Sequence, residues 1–104
     1  MCIRDRCLDG KGKLLTCRCI AKGTVAASAV HVRQVVEHAL YAGASTIILA
    51  HNHPSGVALP SDADVLVTHR IQEALAPLGI RLADHIIVAD DDYVSMAESG
   101  FLRR

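Results

Sequence analysis

Residues 46–64 read Thr-Ile-Ile-Leu-Ala-His-Asn-His-Pro-Ser-Gly-Val-Ala-Leu-Pro-Ser-Asp-Ala-Asp. The first five are apolar or β-branched and continuous, which predicts a central strand buried on both faces. Pro54 and Gly56 then impose a loop. Ser61, with Asp64 three residues later, predicts a helix start: a capping box with Asp in place of the usual Glu. A strand, a loop and a helix in this order put His51 and His53 where the chain leaves a sheet. They put Asp64 in the first turn of the helix that follows.

Working outward, Val32, Val35, Val36, Ala39 and Leu40 repeat with the 3-1-3-1 spacing of one helix face, and Gly43 stands where a C-cap belongs. Upstream, the turn cluster Leu8–Lys13 precedes a loosely alternating strand at Leu14–Ile20, and Gly23-Thr24 breaks the pattern. Downstream, Val67, Ile71, Leu75 and Leu78 continue the second helix, which Pro77-Leu78-Gly79 ends. Ile80–Leu82, His85–Val88 and, after the Asp90-Asp91-Asp92 turn, Tyr93–Met96 read as strands. The order β-α-β-α-β-β predicts a single α/β (α+β) domain with a mixed sheet, without internal repeat or linker. Met1–Arg6 shows no periodicity, carries three charges and looks like translated adaptor sequence, so the domain is expected over residues 7–104, truncated at its N-terminus, with 1–6 outside it.

The chain has 104 residues, 11 basic and 11 acidic side chains, 51% hydrophobic residues and 3% aromatic residues. That length suits one domain, burying roughly 65% of its unfolded surface, with a core of Val, Ile, Leu and Ala. Zero net charge removes the long-range attraction on which nonspecific DNA binding rests, and the scarcity of aromatics argues against a base-stacking platform. Direct nucleic-acid binding is therefore not expected. No apolar run approaches the ~20 residues of a membrane span and no signal peptide is visible, so a cytoplasmic location is expected. Cys2, Cys7, Cys17 and Cys19 lie in the first fifth of the chain with no C-x-x-C pair, unlike a disulfide scaffold. Cys17 and Cys19, sharing one side of a strand, read as small buried or half-buried residues in a reducing cell.

The stretch that carries chemistry is His51-x-His53-Pro54-x(6)-Ser61-x-x-Asp64. Histidines at i and i+2 on a strand project to one side, and their imidazoles can converge on one ion. Asp64 adds a carboxylate. Two His and one carboxylate make the catalytic zinc pattern, in which a fourth position stays open for water. Each element alone has an ordinary reading: H-x-H on a loop is weak, Asp64 is a common residue at a helix start, and Ser61 is a common cap. The combination at this spacing is what points to a Zn2+ site on His51, His53 and Asp64.

These residues resemble the JAMM motif of MPN-type metalloproteases, H-x-H-x(7)-S-x-x-D, at all four positions. The chain is more closely similar to the bacterial RadC family of JAB-domain proteins, a group named for DNA repair. Gly23-Thr24, Ile47–Gly56, Pro60-Ser61, Asp84–Val88 and Tyr93-Val94-Ser95 carry that resemblance, which extends from about Cys7 to the C-terminus. It implies a JAB/MPN-like fold, a curled mixed sheet flanked by helices in a cytidine-deaminase-like layout. It implies zinc on His51, His53 and Asp64, with Ser61 helping to hold the oxyanion of a tetrahedral intermediate as water attacks a peptide or isopeptide carbonyl. A peptide or protein substrate is the expected partner. The alternative reading is a DNA-repair-associated module that binds nucleic acid or protein without hydrolysis.

Two departures stand out. The family's Pro-Arg-Glu at the first helix start reads Val32-Arg33-Gln34, which forgoes a favourable N1 proline. The glutamate base of JAMM hydrolysis, which the family places on a strand before the segment like Leu8-Asp9, has no counterpart, since Glu37, Glu73 and Glu98 all lie downstream. Glu37 reads as a solvated helix residue. His31 is expected just before the first helix. His38 and His69 are expected on polar helix faces. Asp84-His85 reads as an internal hydrogen-bonded cap rather than a catalytic dyad, and Ser55 as a hydrogen-bond partner for a ligand histidine. The letters His-Asn-His carry no nuclease meaning, because that motif is dispersed over a ββα unit. A zinc deaminase would need H-x-E and P-C-x-x-C, both absent.

Overall fold

The computed structural model describes residues 2–22, 28–53 and 56–102, with side chains at 4–19, 32–53 and 56–102. Gly23, Thr24, Pro54, Ser55 and the side chain of His31 lie outside the described residues. The elements are β1 (Cys2–Leu8), β2 (Leu14–Lys22), α1 (Ser28–Ala42), β3 (Thr46–Asn52), α2 (Asp62–Leu75), a 3-10 turn (Ala76–Leu78), β4 (Arg81–Ala89) and β5 (Asp92–Ser95). The strands form one mixed sheet in the order β2-β1-β3-β4-β5. Among the described strands, β3 and β4 pair in parallel, with α2 as the crossover between them, and the other pairings are antiparallel.

The α/β expectation holds, with one strand more. β1 occupies the segment set aside above and pairs antiparallel with both β2 and β3. Its alternation is disguised because a charged residue points inward. Asp5 and Cys7 are buried, while Arg4 and Arg6 are exposed. Burial, helped by the charge of Asp5, pushes the Cys7 thiol up to about 11.

Cys7, Ile47, Leu49 and Leu82 from one face of the sheet join Val35 and Ala39 of α1 and Val67, Ile71 and Leu75 of α2 in a single core. Both helices thus cover the same face. β3 accordingly alternates between buried and half-buried positions, rather than being buried on both sides as its apolar run suggested. The outer face presents Ile48, Ala50, Ile86 and Val88 beside Arg4 and Arg6, around a cavity of about 430 Å³. Cys17 is exposed and free on that side, not buried.

α1 begins at Ser28, so His31 lies in its first turn and Val32 is not the N1 position. Gly43 ends the helix at φ +67°, a conformation that costs a residue with a side chain more than it costs glycine. The predicted strands Ile80–Leu82 and His85–Val88 are one strand, with a register irregularity opposite Ile47/Ile48. Leu78 is exposed, since the helix has tightened before it. Among the described residues, no helix is long and apolar enough to cross a membrane.

Candidate metal centre

The site begins with strand parity. Ile47, Leu49 and His51 are the inward residues of β3, so the same alternation that builds the core delivers an imidazole at its end. Pairing with β4 continues past the strand, where the His53 N–H donates to Val88 O at 2.8 Å. His53 therefore stays on the side of His51, the two rings meeting edge to face with centroids 4.6 Å apart.

Asp64 arrives through the helix cap. The Ser61 side chain accepts from Asp64 N at 3.1 Å, and Ser61 N donates to Asp64 Oδ2 at 2.8 Å, completing the capping box expected from the sequence. The reciprocal bond aims the carboxylate back over the end of β3. Asp64 Oδ2 lies 2.9 Å from His53 Nε2 and Oδ1 lies 3.6 Å from His51 Nδ1. Candidate ligand atoms of His51, His53 and Asp64 all fall within 4.8 Å of one another. Burial alone would raise the Asp64 pKa, but the backbone and side-chain hydrogen bonds of Ser61, with the charges of His51 and His53, outweigh it and hold the carboxyl below 3.8. An ionised carboxylate is the ligand form.

His53 supplies the test of fit. Its Nδ1 lies 3.0 Å from the main-chain oxygen of Val57 and its Nε2 faces Asp64. Both partners are acceptors, and a neutral imidazole carries a single N–H. With that proton on Nδ1, Nε2 faces a carboxylate at hydrogen-bond distance, a place that either a second ring proton or a metal cation can fill. A main-chain oxygen orienting the far nitrogen is the usual outer support of a histidine ligand.

Behind the cluster, His85 of β4 is 1% exposed, its ring centroid 5.5 Å from that of His51. Burial, reinforced by the charge of His51, lowers its pKa to about 4. Its Nδ1 lies 2.6 Å from Thr68 Oγ1, and Thr68 donates to Asp64 O at 2.6 Å. Asp84 makes its hydrogen bonds elsewhere than to the His85 ring. Its Oδ1 accepts from His85 N and Ala97 N and its Oδ2 from Ser95 Oγ, so it ties down the turn after β5. Thr68 and the Val57 carbonyl were missed in the sequence. Asp64, Thr68, Ile71 and Leu75 do share the buried helical spacing, which could have marked Thr68.

The remaining residues fall away from the cluster. Glu37 is exposed and paired with Arg33 at 2.7 Å, and Glu73 and Glu98 are exposed. His38 is not on a solvated face: it reaches Asp5 at 3.2 Å. His69 bonds the main-chain oxygen of Phe101.

A sheet end that presents two inward histidines, closed by a carboxylate from the next helix cap, defines a JAB-type α/β domain with a candidate metal centre. The chain belongs to the RadC-like JAB domain family, which matches residues 3–101. It is 48% identical over 95 residues to a UPF0758 protein of Nitrosococcus oceani, covering 91% of this chain and 42% of that protein. It is 50% identical over 105 residues to a UPF0758 protein of Bordetella petrii, covering 97% and 47%. The chain thus spans less than half the length of these curated relatives.

Proposed function

We propose that this domain holds one zinc ion on His51, His53 and Asp64 and belongs to a hydrolase that cleaves peptide or isopeptide bonds. The observation that carries the reading is the convergence of His51, His53 and Asp64, whose candidate ligand atoms lie within 4.8 Å of one another with the carboxylate aimed by the Ser61 backbone N–H. A bound divalent ion there would supply Lewis acidity, polarising a carbonyl and easing deprotonation of water.

The chain's own residues take the other roles. Ser61, exposed at the cap, offers a hydroxyl to the oxygen of the attacked carbonyl, while its backbone N–H keeps Asp64 aimed. The Val57 oxygen keeps His53 oriented. The three glutamates are exposed and stand outside the cluster. The place for a carboxylate base is the N-terminal end of β1, because Ile3 at that end pairs with His51. This chain is expected to bind metal and hydrolyse little.

Elemental analysis of the purified chain should find about one zinc per chain, lost in His53→Ala. Replacing residues 1–6 with the matching strand of a relative that carries a glutamate should raise cleavage of an isopeptide-linked fluorogenic substrate without changing zinc content. Absence of zinc from the wild-type chain sinks the metal reading. A glutamate-bearing strand that leaves cleavage at background sinks the hydrolase reading.

A further inference from the structure

The geometry points to His85 as a positioning residue of this metal centre, acting through His51 and Asp64. The inference rests on the metal reading above. Three observations support it. First, Thr68 has one hydroxyl proton and gives it to Asp64 O, an acceptor only, so at the 2.6 Å contact His85 Nδ1 is the donor. Nδ1 of His85 thereby carries hydrogen. Second, His85 packs against His51 at 5.5 Å between centroids with a 32° tilt, so one ligand histidine leans on it. Third, His85 Nε2 is buried without a hydrogen-bond partner among the described residues.

An orphaned buried nitrogen costs stability, and a leucine of similar size would avoid that cost. Packing alone therefore does not account for histidine here. What histidine adds is the Nδ1–H to Thr68 and on to Asp64 O, which ties β4 to the first turn of α2, where a ligand and its cap reside. One end of the ring steadies His51 and the other steadies the turn that carries Asp64. Two ligands from separate elements are thus held against one side chain on a third.

The test is zinc affinity by chelator competition, with the absorption spectrum of the cobalt-loaded chain as a second readout. His85→Leu should weaken zinc binding about 10–100-fold, the range of outer-shell changes, and alter the cobalt bands while the apo chain melts no lower than wild type. His85→Asn, whose amide N–H can stand in for Nδ1–H, should stay within a few-fold of wild type. Thr68→Val should weaken binding in the same direction, and the double variant His85→Leu/Thr68→Val should be no weaker than His85→Leu alone. Wild-type affinity in His85→Leu, or equal loss in the Leu and Asn variants with a matching fall in apo melting temperature, overturns the inference. A wild-type chain that binds no zinc overturns the metal reading, and this inference with it.

Discussion

Among the described residues, two buried carboxyl groups on the same face of one sheet each meet histidine, and they differ in what surrounds them. Asp64 receives His53 at 2.9 Å, has His51 at 3.6 Å, and is aimed by the backbone of its own helix cap. Asp5 is fully buried and, among the described residues, its side chain bonds His38 at 3.2 Å while its Oδ1 has no hydrogen-bond partner. Each pair joins a strand to a helix. Asp64 sits where β3 ends and two histidines two residues apart emerge together. Asp5 sits mid-strand on β1, facing a single histidine of α1. Contact between imidazole and carboxylate is thus common to both, and the third ligand with a pre-aimed carboxylate is what separates a candidate metal centre from a buried pair.

Breaking each pair in turn tests that distinction. Asp64→Asn should lower zinc affinity beyond the ~100-fold range of outer-shell changes, whereas Asp5→Asn should leave it at the wild-type value in the same chelator competition. Equal effects of the two would erase the distinction. His38→Leu leaves the buried Asp5 carboxyl without its hydrogen-bond partner and should cost about 1–3 kcal/mol in urea unfolding, with zinc affinity retained. Replacing both members, Asp5→Leu with His38→Leu, should recover most of that loss, because exchanging both hydrogen-bond partners for apolar groups can be nearly neutral.

This contrast also shows which parts were legible beforehand. The capping box and the i, i+2 histidines are local patterns, so Ser61, Asp64, His51 and His53 came directly from spacing, as did the buried stripe of α2. β1 was illegible because its alternation runs Arg4-Asp5-Arg6-Cys7, with a charged residue at an inward position. Burial of Asp5 depends on His38, 33 residues away, and no local rule reports that. Both faces of β3 looked buried because apolar content does not say which side the helices take. The support from Thr68, His85 and the Val57 oxygen depends on tertiary contact, and a main-chain oxygen has no sequence signature at all.

The buried histidine behind the cluster sharpens the comparison through pH. His85 has a folded pKa of about 4 against 6.5 unperturbed, so between those values the unfolded chain binds more protons. Stability should be unaffected above about pH 6.5 and lost as pH falls toward 4. The gap between the two values corresponds to roughly 3 kcal/mol. Asp64 is depressed as well, so its contribution persists above its ordinary range and disappears only at lower pH. In the metal-free chain, urea midpoints from pH 7.5 to 4.5 should fall for wild type and flatten markedly for His85→Leu. An unchanged slope in that variant removes His85 as the cause.

The smallest effect is expected at Ser61, where structure and chemistry divide. The Ser61 side chain accepts from Asp64 N, and losing a serine cap costs about 1 kcal/mol. For a chain of this size that is a melting decrease of roughly 4–8 °C. The bond that aims the carboxylate uses the Ser61 backbone N–H, which alanine keeps. Ser61→Ala should therefore melt lower yet bind zinc within a few-fold of wild type, and Ser61→Thr should match wild type in both. In a chain supplied with a glutamate-bearing β1, Ser61→Ala should lower turnover with zinc content unchanged, as expected of a hydroxyl that meets the carbonyl oxygen. If Ser61→Ala loses zinc as fully as Asp64→Asn does, the hydroxyl acts on the carboxylate rather than the substrate, and its oxyanion role falls.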